Sequence, residues 1–342
     1  MPAAGPRSRL TRGMASPDAG PSAEGIHPLF VAGGDDPRLA GYAALTDRHA
    51  RRRIEGDLGV FVAEGLLALE QLVASDYVIE SVLVATNRLP PVAALLQGCT
   101  SPLYVSEPPV LASVAGFNIH RGVVALGRRR PEADPHRLLA ASMAAGARTV
   151  VVTEGVNDHE NLGSIFRNAA AFGTGAVLMD PTTCDPLYRR SIRVSLGHVL
   201  RVPFARLEPW PAVLADLRST GWTTVTLTPA ADAEPLDRVP PAGLGPVALL
   251  VGAEGPGLAA GTLAAADRWV RVPLAAGVDS LNVATATAFA LHHLGPPPPS
   301  SATPTAGRLM AKKRHQPGTN RPPLDSAGGP PASGGGRPRW LR

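Results

Sequence analysis

Three short segments of this chain gather side chains that could do chemistry, and each follows a run that reads as a strand. The first is Asn157-Asp158-His159-Glu160-Asn161-Leu162-Gly163-Ser164-Ile165-Phe166-Arg167. Asn161 suits the N-cap of the helix that opens here, and Gly163 allows a close backbone approach in its first turn. Arg167 follows Asn161 by six residues, between one and two helical turns along. Taken alone, the segment reads equally as a capped helix with an ordinary surface arginine. Asp158, His159 and Glu160 invite a metal reading, but three consecutive side chains do not converge on one ion without special backbone geometry. The second segment is Val251-Gly252-Ala253-Glu254-Gly255-Pro256-Gly257-Leu258, in which three glycines within six positions let the backbone wrap a flat ligand. It matches neither the dinucleotide fingerprint nor the Gly-Lys-Ser/Thr of a P-loop. Glu254, a carboxylate in a turn of small residues, is placed to face a site. The third segment runs Val272-Pro273-Leu274-Ala275-Ala276-Gly277-Val278-Asp279-Ser280-Leu281-Asn282-Val283-Ala284. Here Ser280 suits an N-cap and Asn282 the first turn of a helix, which also reads as simple capping chemistry.

The elements that must hold these segments read as mixed α/β. Before Arg38 the chain is rich in Gly, Pro, Ala and Ser without periodicity, which predicts a disordered arm over residues 1–37. A small three-layer domain follows over 38–129. Its helices fall at Leu39–Glu55, Glu64–Ala74, Pro91–Gln97 and Pro108–Val114, and its strands at Val60–Ala63, Ile79–Val84, Leu103–Val105 and Val123–Leu126. The charged, proline-containing run Arg128–Pro135 reads as a linker. A second α/β series occupies 130–295. Its predicted strands are Thr149–Thr153, Ala176–Asp180, Thr223–Leu227, Val247–Val251 and Trp269–Val272. Its predicted helices are Leu162–Phe172, Pro186–Gly197, Trp210–Thr220, Gly257–Ala265 and Leu281–Leu294. Strands rich in Val, Leu and Thr without strict alternation suit a parallel sheet covered on both faces. The last helix is small on every side, as tight burial against another element or another subunit requires. Four prolines after Gly295 end the folded part and open a Pro/Gly-rich tail over 296–342.

Composition narrows the class. Hydrophobic residues make up 44% of 342, enough for a sizeable core, but aromatics are few: seven Phe, four Trp and four Tyr. Cys99 and Cys184 have no metal-ligand spacing and fit a reducing compartment. The chain shows no apolar signal region and no run of about 18 apolar residues, which predicts a soluble, cytoplasmic protein with no membrane partner. The net charge of +5 is unevenly placed: eight basic residues face Asp325 alone between Gly295 and Arg342, a local +7 that leaves −2 for the rest. Such a tail suits attraction to phosphate backbones or simple solubility.

In this order and spacing the three segments resemble the motifs of the SpoU/TrmH family of RNA 2′-O-ribose methyltransferases, in the knotted SPOUT superfamily. The matching patterns are N-L-G-x-I-x-R from Asn161 to Arg167, G-x-E-G-x-G from Gly252 to Gly257, and V-P-L followed by S-L-N-V-A from Val272 to Ala284. Cys184 to Gly197 also looks like the family's linking region, so the resemblance spans about Thr149 to Leu294. Phe61 to Gly65 and Arg121 to Ala125 look like the L30e-type RNA-binding domain often fused ahead of it. The resemblance implies S-adenosyl-L-methionine held in a C-terminal trefoil knot by Thr228, Gly252, Gly257, Val272, Leu274 and Leu281. It implies catalytic roles for Asn161, Arg167, Glu254, Ser280 and Asn282, no metal, and a homodimer with its active site between subunits. Asn161 and Ser280 or Asn282 would position the ribose, and Glu254 would fix Arg167 or Asn161. Arg167 would clamp the RNA phosphate and stabilise the developing alkoxide, because a guanidinium stays protonated and makes a poor base. Ribosomal RNA is the favoured target over transfer RNA. Base-nitrogen methylation and non-catalytic RNA binding are the rival readings.

Overall fold

The computed structural model describes residues 27–43, 45, 56, 58–116, 122–240 and 243–295. The N-terminal part is a five-stranded sheet in the order β1-β4-β3-β5-β2. Its strands are β1 (Pro28–Phe30), β2 (Val60–Glu64), β3 (Ile79–Ala85), β4 (Leu103–Ser106) and β5 (Val123–Arg128). β1, β4 and β3 run parallel, while β5 is antiparallel to both β3 and β2. The helices α1 (Leu66–Val73), α2 (Leu89–Leu95) and α3 (Pro108–Ala115) cover it. Alternation along β2 sends Phe61 and Ala63 into one buried cluster with Leu69 and Leu72 of α1, and Val62 into another with Leu111 of α3. The predicted three layers are therefore present.

Residues 28–42 correct the expected arm and the expected Leu39–Glu55 helix. β1 lies on the sheet edge, Val31 N–H donates to Val105 O at 2.8 Å, and a 3-10 helix spans Pro37–Tyr42. Three paired residues are too few for periodicity to reveal. The rest of the arm, most of residues 43–55 and the tail 296–342 lie outside the described residues.

The expected linker is short and tied down. Arg128 ends β5, and the Asp134 carboxylate caps α4 (Pro135–Ala144), accepting from His136 N at 2.9 Å and Arg137 N at 3.2 Å. Between them Arg129 pairs with Asp185 at 2.6 Å, and Arg130 lies 3.9 Å over the Tyr77 ring. Further on, Arg189 reaches Glu64 at 3.3 Å. Gly197, at φ +82°, lets the chain pass so close to α1 that a Cβ would stand 3.0 Å from Ala68 Cα.

The C-terminal part is a seven-stranded, all-parallel sheet in the order β10-β12-β9-β11-β6-β7-β8. Its central strands are β6 (Thr149–Glu154), β9 (Thr223–Leu227) and β11 (Val247–Gly252), flanked by β7 (Val177–Met179) and β12 (Arg268–Arg271). The edge strands β8 (Phe204–Arg206) and β10 (Glu234–Pro235) went unpredicted, being three and two residues long. Both faces are buried. Val151, Leu249 and Val251 pack with α5 (His159–Ala171), α6 (Arg189–Val194) and α9 (Val283–Leu294). Val150, Val152 and Leu250 pack instead with α4, α7 (Leu214–Ser219) and Trp222. A strand buried on both sides needs no polar face, which is why these runs lack alternation. The remaining helix, α8 (Ala260–Ala265), is short, and α6 and α7 also fall inside wider predicted spans. No helix among the described residues is long and apolar enough to cross a membrane. Cys99 and Cys184 are free and half-buried.

Candidate active site

Parallel α/β sheets bind ligands beyond the carboxyl ends of their strands. Here β9, β11 and β12 end around a cavity of about 490 Å³. The segments that follow them form its walls, and all six residues expected to cradle a cofactor line it: Thr228, Gly252, Gly257, Val272, Leu274 and Leu281. Glu254, Ser280 and Asn282 line it too. Among the described lining residues the charged side chains are Glu254 and Asp279, so the cavity favours a cation.

The glycine turn is built by backbone contacts. Gly257 N–H donates to Ala253 O at 3.0 Å, folding the chain back over the end of β11. A Cβ on Gly252 would stand 2.3 Å from Gly257 C and 2.5 Å from Gly257 O. Gly255 and Gly257 have φ of +89° and +70°, where side chains are strained. The turn therefore presents main-chain N–H and C=O groups with little side chain between them and a ligand.

Both expected caps are corrected, the first by three positions and the second by two. α5 is capped by Asp158, whose Oδ1 accepts from Glu160 N at 2.6 Å and Asn161 N at 3.0 Å. Asp158 occupies the residue just before the first helical one, where a short carboxylate meets the free amides; Asn161 is already inside the first turn. α9 is capped by Asn282, whose Oδ1 accepts from Ala284 N at 3.0 Å and Thr285 N at 3.1 Å. Ser280 donates instead to Asp279 Oδ1 at 3.3 Å.

These caps decide how the polar site is wired. Because Asn282 Oδ1 is held by two amides, its Nδ2 must face outward as donor. It donates to Asn161 Oδ1 and to Glu254 Oε1, each at 2.7 Å. One side chain thus joins all three motifs. Asn168, which the sequence reading missed, adds a second tie between α5 and α9 by donating to Ala284 O at 2.7 Å. Gly163 works lower on the same helix: a Cβ there would stand 2.7 Å from Ser191 O, so its absence seats α5 against α6.

Of the two partners expected for Glu254, Asn161 is tied to it through Asn282, whereas Arg167 does not join the triad. It is exposed and does not line the cavity. Six residues place it about 9 Å along α5 from Asn161 and a third of a turn round. It lies beside His198, whose imidazole is held below its usual pKa first by burial, then by the charges of Arg167 and Arg201. His198 and Arg201 escaped the sequence reading, since only the packing of α5 on the segment after Gly197 brings them to Arg167. The loop after β6 has its own anchor in Asp180. Burial alone would raise this carboxyl, but the hydroxyls of Thr182 and Thr183 and the Gly155 and Thr182 amides outweigh it and hold the pKa below its usual value. Among the described residues no group of three or more His, Cys, Asp or Glu could hold a metal ion.

Fold and cavity define a parallel α/β domain that binds a small ligand at its strand ends. Residues 148–292 match the model of the SpoU rRNA Methylase family. A protein of Mycobacterium bovis described as an uncharacterized tRNA/rRNA methyltransferase is 42% identical over 281 residues, covering 80% of this chain and 96% of that one. The chain belongs to the SpoU family and is a methyltransferase. Among solved structures, an AdoMet-bound rRNA methyltransferase from Sinorhizobium meliloti shares the fold, with a TM-score of 0.63, 24% identity and coverage of 78% of this chain and 97% of that one. An RNA 2′-O ribose methyltransferase superposes with a TM-score of 0.61 at 25% identity, covering 78% and 98%.

Proposed function

We propose that this protein moves a methyl group from S-adenosyl-L-methionine to a ribose 2′-hydroxyl of structured RNA, ribosomal in preference to transfer RNA, as a cytoplasmic homodimer. The observation that carries the proposal is the Asn161–Asn282–Glu254 triad at the edge of a cavity walled by backbone and carboxylates. The volume lies within the roughly 300–1,000 Å³ of small-ligand sites. When bound, the cofactor supplies an electrophilic methyl on a positively charged sulfonium. Glu254 and Asp279 suit that charge, and the glycine turn can read a purine edge through main-chain groups.

The chain's own residues then have separable tasks. Asn282 spends both donors and its acceptor on protein partners, so it positions rather than binds. Asn161 has its oxygen occupied, which leaves its Nδ2 free to donate to a ribose oxygen. Ser280 orients Asp279 at the cavity wall. Arg167, charged and exposed beside His198 and Arg201, clamps an RNA phosphate and stabilises the alkoxide as it develops. The proton passes to a phosphate oxygen or water. Alignment of hydroxyl and methyl supplies much of the remaining acceleration.

Mass analysis of ribonuclease digests tests the acceptor. A 2′-O-methyl blocks cleavage of the following phosphodiester, so treated RNA should yield nuclease-resistant dinucleotides carrying one extra methyl. Methylated mononucleotides alone would place the methyl on a base and overturn the ribose assignment.

Arg167 stands outside its own chain's cavity, which fits a site completed by a second copy. Large apolar side chains are left uncovered on the third motif and the helix that follows it: Val278 is 52% exposed, Leu281 37%, and Phe289 on α9 56%. Phe289→Asp should convert the dimer to monomer in sedimentation-velocity runs and lower turnover with it. A dimer of undiminished strength would move the interface elsewhere. The same reading carries the trefoil knot of the family and an L30e-like role for residues 38–129 as the RNA-holding part, ahead of a methyltransferase domain over 130–295.

A further inference from the structure

We propose that Glu154 is a positioning residue that pins both ends of the glycine turn, and so sets the affinity of the cavity for its cofactor. This rests on the reading of that cavity as the cofactor cradle. Glu154 is the last residue of β6 and the register partner of Gly252, the last residue of β11. The two central strands therefore end on the same rung, where the turn departs. Glu154 is half-buried and does not line the cavity. Its carboxylate instead reaches past the turn to the chain that returns from it. Oε2 accepts from Ala259 N at 3.0 Å, while Oε1 accepts from Thr262 Oγ1 and Trp210 Nε1, each at 2.8 Å.

Ala259 is the N-cap of α8 and has no side chain with which to cap it. In a capping box, the N-cap amide is satisfied by a carboxylate three residues into the same helix. Here that third position is Thr262, and a carboxylate from a neighbouring strand takes over the task. The consequence falls on the turn. Ala259 follows Gly257 by two residues, and Gly257 is stacked on Gly252 too closely for a Cβ. One end of the turn is fixed by the β11–β6 ladder and the other by Glu154. A carboxylate suits this position because three donors converge on it, two from the start of α8 and one from the Trp210 indole. An amide would keep the Trp210 and Thr262 bonds on its oxygen but would turn an NH2 toward the Ala259 N–H.

The test breaks that single bond from either side. Glu154→Gln sets donor against donor. Ala259→Pro deletes the amide at a position whose φ is −66°, which proline accepts. Binding of S-adenosylhomocysteine is read by calorimetry, with hydrogen exchange over residues 253–259 and thermal midpoints alongside. Each variant should weaken binding about tenfold, the order expected for about 1.4 kcal/mol, and speed exchange within the turn. Turnover at saturating cofactor should hold, and the double variant should bind no worse than either single one, since both remove one interaction. Thr262→Val, which breaks a different bond to the same carboxylate, should leave affinity unchanged. Unchanged affinity in Glu154→Gln and Ala259→Pro, with binding weakened in Gly252→Ala, would overturn the role of Glu154 and keep the cradle. Unchanged affinity in Gly252→Ala would overturn the cradle itself, and this proposal with it.

Discussion

Arg167→Ala should cut turnover on RNA by about 10²–10³-fold, the cost of removing one well-placed charge donor from a transition state, and leave the affinity for S-adenosylhomocysteine intact. The two outcomes separate because Arg167 is absent from the cavity wall and from the triad. The charge around it is positive, supplied by Arg167 itself and Arg201. The pKa of His198 is lowered first by burial and then by the charges of Arg167 and Arg201, which mark a positive field here. A cluster of this sign attracts the phosphate backbone and does little for a cationic cofactor. Single-turnover rates at saturating RNA, paired with calorimetry, make the measurement. Lost cofactor affinity with normal turnover at saturation would sink the assignment. Arg167→Lys should recover only part of the rate, since an ammonium keeps the charge but loses the planar fork that grips a phosphate through two oxygens.

Gly252→Ala should weaken cofactor binding by about 10- to 100-fold, the equilibrium equivalent of the ~1–3 kcal/mol that overpacking costs. The added methyl would meet Gly257 C at 2.3 Å, Gly257 O at 2.5 Å and Leu258 N at 2.5 Å. All three are backbone atoms, so no side-chain rotation relieves the clash. β11 is paired on both sides, to β9 and β6, and cannot retreat. The turn must yield, and the turn forms the cavity wall. A lowered thermal midpoint with unchanged affinity would locate the strain in the sheet and refute the account.

Much of the site was legible because it is local. Gly252, Gly255 and Gly257 sit within six positions, and a polar run after an apolar strand is visible to anyone scanning for strand ends. All six proposed cradle residues line one cavity for that reason: in a parallel sheet the strands finish on the same side, so the segments that follow them meet. Caps were less legible. Asp158 and Asn161, or Ser280 and Asn282, are equally good capping types within a few residues, and the choice depends on where the helix is docked. Short edge strands such as β10 carried no pattern long enough to read.

The sequence by itself determined the alternation of strands and helices, the apolar runs of a sheet buried on both faces, and the three polar motifs that identify the family. Only the tertiary structure decided which polar groups touch. It showed Asn282 bridging Asn161 and Glu254, although 121 and 28 residues respectively separate it from them. It placed Arg167 beside His198 rather than at Glu254, and it brought Glu154 to an amide 105 residues away. The physical reason is that a hydrogen bond requires two groups within about 3 Å in one orientation. Spacing along the chain sets such geometry within a helix or turn; across elements, only packing does.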